Sequence, residues 1–207
     1  MRLRPIVALG LAMLGLVSVT GCAELPPATA AVVNGQTITE RDLQDTAVAL
    51  AGVLATDEQY ATWDLVGLAL NYQILEILLT DGLAQLGAAA ESPLTINQAA
   101  NYVITQEERN QFWAANVDPS TAIYFAWLDP QASQAMTGFI DYYILNDKIQ
   151  AGAINGDQLI NVVSQLPVSV NPRYGSWDSQ QWSLSDGQPE GALPGVLAQP
   201  IDFSQPR

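Results

Sequence analysis

A long apolar segment, from Asp57 to Leu86, constrains the fold of this chain most strongly. Along one helix face, large apolar side chains recur every three or four residues: Leu65, Leu68, Tyr72, Leu75, Leu79 and Leu83. The neighbouring faces are apolar as well: Leu70, Ile74, Ile77 and Leu78. A helix that is apolar around most of its circumference must be covered by other elements on several sides. The sequence therefore predicts a mainly α fold with a long central helix that begins at Asp57-Glu58.

Other segments with helical spacing supply the covering layers. They are residues 40 to about 54, 96 to about 114, a short helix between Asp118-Pro119 and Asp129-Pro130, 131–150 and, as a turn or short helix, 151–166. Thr39 is a typical N-cap for the first of them because acidic residues follow it in the first turn. Gly87 is expected to end the central helix. Hydrophobic residues make up 49% of the chain, which is enough to bury the core of one domain.

Strand signals lie at both ends of the helical region. Near its start, Val32 precedes Asn34-Gly35, the dipeptide most typical of a tight β-hairpin. Near its end, Val168 and Val170 alternate with a serine, as in a strand with one buried face. We predict that this second strand pairs with residues 31–34. The bundle would then be closed by a small sheet that joins the N- and C-terminal segments.

The turn after the second strand has residues suited to hold this closure. Pro172 ends the strand because proline cannot donate a ladder hydrogen bond, and Gly175 permits a tight turn. Tyr174 and Trp177 are expected to pack on the helices, and Arg173 to pair with an acid or with backbone carbonyls. The predicted structural clasp consists of Val32, Asn34, Gly35, Val168, Val170, Pro172, Arg173, Tyr174, Gly175 and Trp177. The alternative is that residues 174–177 form an aromatic peptide-binding turn.

The N-terminal segment has the pattern of an export signal. Arg2 and Arg4 precede a charge-free apolar run, Ile6 to Val17, that is shorter than the ~20 residues needed to span a bilayer. Val19-Thr20-Gly21-Cys22 then resembles the bacterial lipobox. The resemblance implies cleavage after residue 21 and diacylation of Cys22, so that residues 22–30 tether the protein to the outer face of the cell membrane. The alternative is an ordinary secreted protein.

Composition argues against several classes of function. The chain has no histidine and one cysteine, which removes the commonest general base, the commonest metal ligand and any intrachain disulfide. A net charge of −14 repels phosphate backbones, so nucleic acid is not expected as a partner. Glu107 and Glu108 are adjacent and point about 100° apart on a helix, so they do not form a catalytic pair. Lys148, the only lysine, is interpreted as a solvated helix end. We predict no catalytic residue, no cofactor and no metal.

Two short motifs resemble one known family. VNGQTITERDL, residues 33–43, is similar to the entry of the N-terminal domain in SurA/PrsA-type extracytoplasmic chaperones and foldases. VNPRYGSWD, residues 170–178, is similar to the closing segment of actinobacterial members. The likeness spans about residues 31 to 178. It implies a helical chaperone domain of the trigger-factor/SurA peptide-binding type, which holds unfolded or secreted polypeptides.

The chain departs from this family where many relatives carry a parvulin-type prolyl isomerase domain. Only about 20 residues separate Ile149 from Val170, too few for that domain, and histidine is absent. The sequence therefore predicts a chaperone-like lipoprotein that is not an enzyme, followed by a flexible Pro/Gly-rich tail over residues 179–207. The alternative is an adaptor lipoprotein that docks one folded partner in the cell envelope or secretion machinery.

Overall fold

Seven helices and five strands make up the part of the chain that the computed structural model describes, residues 25–58, 64–89 and 96–185. The strands are β1 (Thr29–Val33), β2 (Gln36–Thr39), β3 (Val168–Val170), β4 (Ser176–Asp178) and β5 (Ser183–Ser185). The helices are α1 (Glu40–Leu54), α2 (Leu65–Ala88), α3 (Ile96–Asn101), α4 (Gln106–Asn116), α5 (Ala122–Leu128), α6 (Pro130–Gln150) and α7 (Gly156–Val163). The predicted mainly α class with a small antiparallel sheet is confirmed.

The central position of α2 is also confirmed. It packs against α1, α6 and α7, and its side chains Leu70, Ile74 and Leu79 have no exposed surface. Its predicted start is wrong, because the helix begins at Leu65. The carboxylate of Asp64 caps it by accepting hydrogen bonds from the backbone N–H groups of residues 66 and 67, at 3.2 and 3.1 Å. Its predicted end at Gly87 is one residue short of the observed end.

A glycine brings α6 directly onto α2. A Cβ atom at Gly138 would overlap the carbonyl oxygen of Tyr72 and lie 2.8 Å from the backbone nitrogen of Glu76. Only a residue without a side chain permits this approach. The ring of Phe139, next in α6, lies against Tyr72 with ring centroids 5.3 Å apart.

The single helix predicted over residues 96–114 is two helices, α3 and α4. Thr105 begins the second one with a capping box: its hydroxyl accepts from the N–H of Glu108 at 3.2 Å, and the Glu108 carboxylate accepts from the N–H of Thr105 at 2.7 Å. This reciprocal cap favours a new helix start over continuation of α3. Pro130 is the first residue of α6, one residue before the predicted start at 131, whereas Pro119 lies in the turn before α5.

The predicted pairing of the two ends is confirmed. The larger sheet has the order β2-β1-β3, and all its pairs are antiparallel. Val33 lies opposite Val168, and Ala31 lies opposite Val170. The β1–β2 hairpin turns at Asn34-Gly35, where both residues have positive φ angles, 47° and 82°.

Two predicted boundaries are wrong. Thr29 and Ala30, assigned to the tether, are buried in β1. The tail predicted from residue 179 begins inside a β-hairpin, in which β4 pairs with β5 and the side chains of Trp182 and Leu184 are buried. The N–H of Leu184 donates to Asn71 Oδ1 of α2 at 3.0 Å, which joins this hairpin to the core.

Other predictions concern parts of the chain outside the described residues. These are the export signal and Cys22, at residues 1–24, and the remainder of the tail, at 186–207. Among the described residues, no helix has both the length and the apolar character needed to cross a membrane.

Candidate functional site

The predicted clasp residues all lie in the sheets, in the turns that join their strands, or in the short 3₁₀ turn Pro172–Tyr174. The side chains of Val32, Val168 and Val170 are half-buried on the larger sheet. Tyr174 and Trp177 pack against the hydrophobic core, as predicted. Gly175 has a φ of 97°, a conformation that side chains disfavour.

Polar contacts hold the clasp to the beginning of α1. Arg173 Nη2 lies 2.7 Å from Glu40 Oε1, which confirms that this arginine pairs with an acid. Asn171, which is not among the predicted clasp residues, donates from its side-chain amide to the carbonyl oxygen of Thr29 at 3.1 Å. Its N–H donates to the carbonyl oxygen of Ala30 at 2.8 Å. These contacts tie the C-terminal end of the fold to its N-terminal strand and first helix.

A two-point ion pair joins α4 to α6. Arg109 Nε lies 2.6 Å from Asp141 Oδ1, and Arg109 Nη2 lies 2.7 Å from Oδ2. The side chain of Asp141 is 1% exposed. Burial raises the pKa of Asp141, and the hydrogen bonds and charge of Arg109 oppose that rise.

Lys148 forms a second link between the same helices, so its interpretation as a solvated helix end is wrong. Its Nζ lies 2.8 Å from Glu108 Oε1 and donates to the carbonyl oxygen of Val103 at 2.9 Å, and the side chain is 12% exposed. Burial favours a higher pKa for Glu108, but hydrogen bonds from Lys148 and Thr105 outweigh it and lower that pKa. Lys148 is therefore committed to structure and is a poor candidate for catalysis.

A polar cavity of about 500 Å³ lies between β2, α1, α2 and α6. We call it the amide-acid pocket. Its lining carboxylates are Asp42, Asp45 and Glu76, and its lining amides are Gln36, Gln73, Gln131 and Gln134. Most of these side chains form an exposed rim, whereas Gln73 and Thr46 are buried in the wall and Glu76 is half-buried. Among the described residues, no lysine or arginine lines the pocket.

The wall of the amide-acid pocket contains an unpaired acceptor. Gln73 Nε2 donates to Thr46 Oγ1 at 3.3 Å, and Thr46 Oγ1 donates to the carbonyl oxygen of Asp42 at 2.7 Å. Gln73 Oε1 has no hydrogen-bond partner among the residues that the structure describes, although the residue is only 8% exposed. Buried acceptors of this kind are uncommon because each costs about 1–3 kcal/mol.

Glu76 has the most perturbed carboxyl group of the pocket. Burial raises its pKa from 4.5 to about 7, the negative charge of Asp141 adds to the rise, and Arg109 partly offsets it. Glu76 forms no ion pair with another described residue. At neutral pH this side chain therefore exchanges between its neutral and charged forms.

Sequence reasoning missed this pocket, although a signal was present. Gln73 and Glu76 are polar residues in a helix whose other positions are mostly leucine, isoleucine and alanine. A polar residue in such a helix needs a partner, a cavity or solvent. The pattern did not indicate which of these applies.

The short helix α5 has an apolar surface that is only partly covered. Its sequence, AIYFAWL, contains no charged residue, yet Ala126 is its only buried residue. Phe125 is 52% exposed and Leu128 is 60% exposed, although both side chains are large and apolar. Trp127 is half-buried and stacks on Trp113, with ring centroids 4.8 Å apart. This contact joins α5 to α4 while the other side of α5 faces solvent.

Comparisons of the chain with protein-family models, with curated proteins and with solved structures found no match.

Proposed function

We propose that this chain is a lipid-anchored, extracytoplasmic chaperone-like protein that holds unfolded or secreted polypeptides without catalysing prolyl isomerisation. The proposal includes a helical domain of the SurA-like peptide-binding type and attachment to the cell membrane through diacylated Cys22. It draws on the motifs at residues 33–43 and 170–178, on the lipobox at residues 19–22 and on the fold of the helical domain.

The observation that carries the proposal is the exposed apolar side of α5. Phe125 and Leu128 offer apolar area to solvent on a helix without charges. An apolar segment of an unfolded polypeptide would gain about 25 cal/mol for each Å² of apolar surface that such a contact removes from water. The net charge of −14 favours segments flanked by basic residues and keeps the complexes soluble.

The test compares client binding by the wild type and by a Phe125→Ser/Leu128→Ser variant. We expect the wild type to suppress aggregation of several unrelated denatured proteins, and the variant to lose most of this effect. Val103→Ser is the matched control, because Val103 is 56% exposed and lies outside α5. Circular dichroism verifies that each variant folds.

Two outcomes separate the proposal from an adaptor role. If the α5 variant suppressed aggregation as well as the wild type, the exposed side of α5 would not be the surface that binds clients. Tight binding to one native envelope protein, with no suppression of aggregation, would replace the chaperone role by docking of a folded partner.

The proposed anchor has its own test. The mass of the mature N-terminal peptide from the membrane fraction should include a diacylglyceryl group on Cys22. A Cys22→Ser variant should leave the membrane fraction, because single apolar contacts do not replace two acyl chains. A wild-type chain that begins at another residue and carries no lipid would contradict the anchor.

A further inference from the structure

The chemistry of the amide-acid pocket is complementary to an organic cation. We propose that this pocket binds a primary ammonium or guanidinium group, carried either by a small amine or by a basic side chain of a polypeptide. The inference goes beyond the proposed function, because it requires neither an unfolded client nor the surface of α5.

The pocket has an uncompensated negative charge. Three carboxylates line it, from Asp42, Asp45 and Glu76, and no basic residue does within the part of the chain that the structure describes. Arg41 approaches Asp45 at 3.8 Å, but its side chain is 89% exposed and this contact is strongly screened by solvent. The field inside the pocket therefore favours a positively charged group.

The unpaired acceptor, Gln73 Oε1, indicates that the ligand carries an N–H donor as well as a positive charge. Gln73 Oε1 lacks a donor, and Gln73 Nε2 is already committed to Thr46 Oγ1. Gln73 Oε1 has almost no accessible surface, so a rotation of the Gln73 amide toward the cavity is needed before a ligand N–H group can satisfy it. Ammonium and guanidinium groups supply both the charge and the N–H donors, whereas a quaternary ammonium group supplies only the charge.

The arrangement of acids favours an organic cation over a metal ion. Within residues 25–58, 64–89 and 96–185, no three acidic side chains come close enough to hold a metal. Amide and hydroxyl groups line the pocket together with the carboxylates. A cavity of about 500 Å³ has room for a side-chain-sized ligand.

Binding should depend on pH through Glu76. The charged groups that act on it are Asp141 of α6 and Arg109 of α4, and Asp42 and Asp45 of α1 line the same pocket. Its pKa is raised to about 7, so it is mostly neutral at pH 6 and mostly charged at pH 8. If the cation binds only the charged form, affinity should be about tenfold weaker at pH 6 than at pH 8.

The experiment is calorimetric titration of the folded, mature chain with four probes. Agmatine and cadaverine present guanidinium and ammonium groups, choline presents a cation without N–H donors, and a Gly/Ser peptide with a single arginine presents the basic side chain. We expect saturable binding of agmatine, cadaverine or the peptide, about tenfold weaker at pH 6, and at least tenfold weaker binding of choline. Binding of the free amines alone assigns a small-molecule ligand, and binding of the peptide alone assigns a polypeptide side chain.

Variants locate the site. Glu76→Gln should weaken binding at pH 8 at least tenfold and abolish the pH dependence, whereas Glu107→Gln, an exposed position on α4, should do neither. If Glu76→Gln fails to fold, Gln73→Leu at the unpaired acceptor replaces it and should also weaken binding. Absence of saturable binding by the wild type at millimolar probe, equal binding of choline, or unchanged binding in the folded variants would overturn the proposal.

Discussion

Arg109 and Asp141 form a parallel, two-point ion pair between α4 and α6, with N–O distances of 2.6 and 2.7 Å. Asp141 is 1% exposed, and Arg109 is 18% exposed. The guanidinium group supplies hydrogen bonds to both oxygens of a carboxylate that would otherwise be buried without a partner. Arg109 also lies close enough to Glu76 to lower its pKa against the effect of burial. The pair therefore fixes the position of α4 and influences the amide-acid pocket.

We expect Arg109→Met to lower the free energy of unfolding by about 3 kcal/mol at pH 7.5, because it leaves Asp141 buried without its cation. Arg41→Met is the matched control. The pair between Arg41 and Asp45 spans 3.8 Å with both side chains exposed, so its loss should change stability by less than about 0.5 kcal/mol. Urea unfolding measures both values. Equal effects of the two substitutions would contradict a stabilising role for the buried pair.

Stability should fall as the pH rises from 4.5 to about 7 because of Glu76. Its pKa is 4.5 when exposed and about 7 in the fold, so within this window the folded chain holds a proton that the unfolded chain has lost. The stabilisation is complete below pH 4.5 and is lost above the folded pKa, a change on the order of 3 kcal/mol. The raised pKa of Asp141 acts in the same direction.

The measurement is the difference in unfolding free energy between the wild type and Glu76→Gln across this pH range. We expect the wild type to lose stability relative to the variant as the pH rises. Glu107→Gln provides the baseline for removing an exposed carboxylate from α4. If the wild type instead gained stability relative to Glu76→Gln between pH 5 and 7, the pKa of the Glu76 carboxyl group would not be raised in the fold.

Two glycine-to-alanine substitutions should change the stability of the protein in opposite directions. Gly138→Ala places a methyl group into the carbonyl oxygen of Tyr72, so α6 must move away from α2, at an expected cost of at least about 2 kcal/mol. Gly52→Ala meets no atom within 4 Å, and on an exposed helix position it should stabilise the protein by about 0.5–1 kcal/mol. Thermal unfolding of the two variants compares them directly. A tolerated alanine at 138 would contradict the close contact of these helices.

The C-terminal limit of the fold is tested with two truncated chains. A chain that ends after Asp178 loses β5 with the buried side chains of Trp182 and Leu184, and it leaves Asn71 Oδ1 without its donor. We expect it to be less stable than a chain that ends after Ser185, by about 3 kcal/mol or more. Chemical denaturation of both chains gives the difference. If the two chains were equally stable, the folded region would end at residue 178, as the sequence predicted.

The sequence was sufficient to predict those elements of the fold whose structure depends on residues close together in the chain. The helical spacing over residues 40 to about 54 predicted α1, in which the recurring apolar residues Leu43, Ala47, Leu50 and Leu54 are all buried. Asn34-Gly35 predicted the hairpin because its backbone conformation is local. The pairing of β1 with β3 was predicted from two short strands, since few other partners were available for either.

Contacts between distant residues could not be predicted in the same way. Lys148 was interpreted from its position near a helix end, but the break between α3 and α4 brings backbone carbonyls and Glu108 to it. Arg109 and Asp141 are separated by 32 residues, and no local pattern pairs them. The same limit applies to the pocket, where four elements contribute one or more residues each. The capping box at Thr105 was readable from sequence, and it was overlooked.

Asn171 and Arg173 allow the closure of the two ends to be tested at single side chains. The Asn171 side-chain amide donates to the Thr29 carbonyl oxygen within the sheet edge, and its side-chain oxygen Oδ1 accepts from the N–H of Arg173 at 3.3 Å. We expect Asn171→Ala to lower the unfolding free energy by about 1–2 kcal/mol, because it removes both contacts and leaves a backbone acceptor unsatisfied. Arg173→Ala should have a smaller effect, since its side chain is 51% exposed and its pair with Glu40 is screened.

Deletion of residues 168–178 extends this comparison to the whole clasp. It removes β3, which pairs with β1, and β4, which pairs with β5, so we expect a larger loss of thermal stability than for either point variant. The melting temperatures of the three variants should therefore fall in the order Arg173→Ala, Asn171→Ala, deletion. If the deleted chain melted at the wild-type temperature and lost only peptide binding, residues 174–177 would be a binding turn and the two ends would not depend on each other for stability.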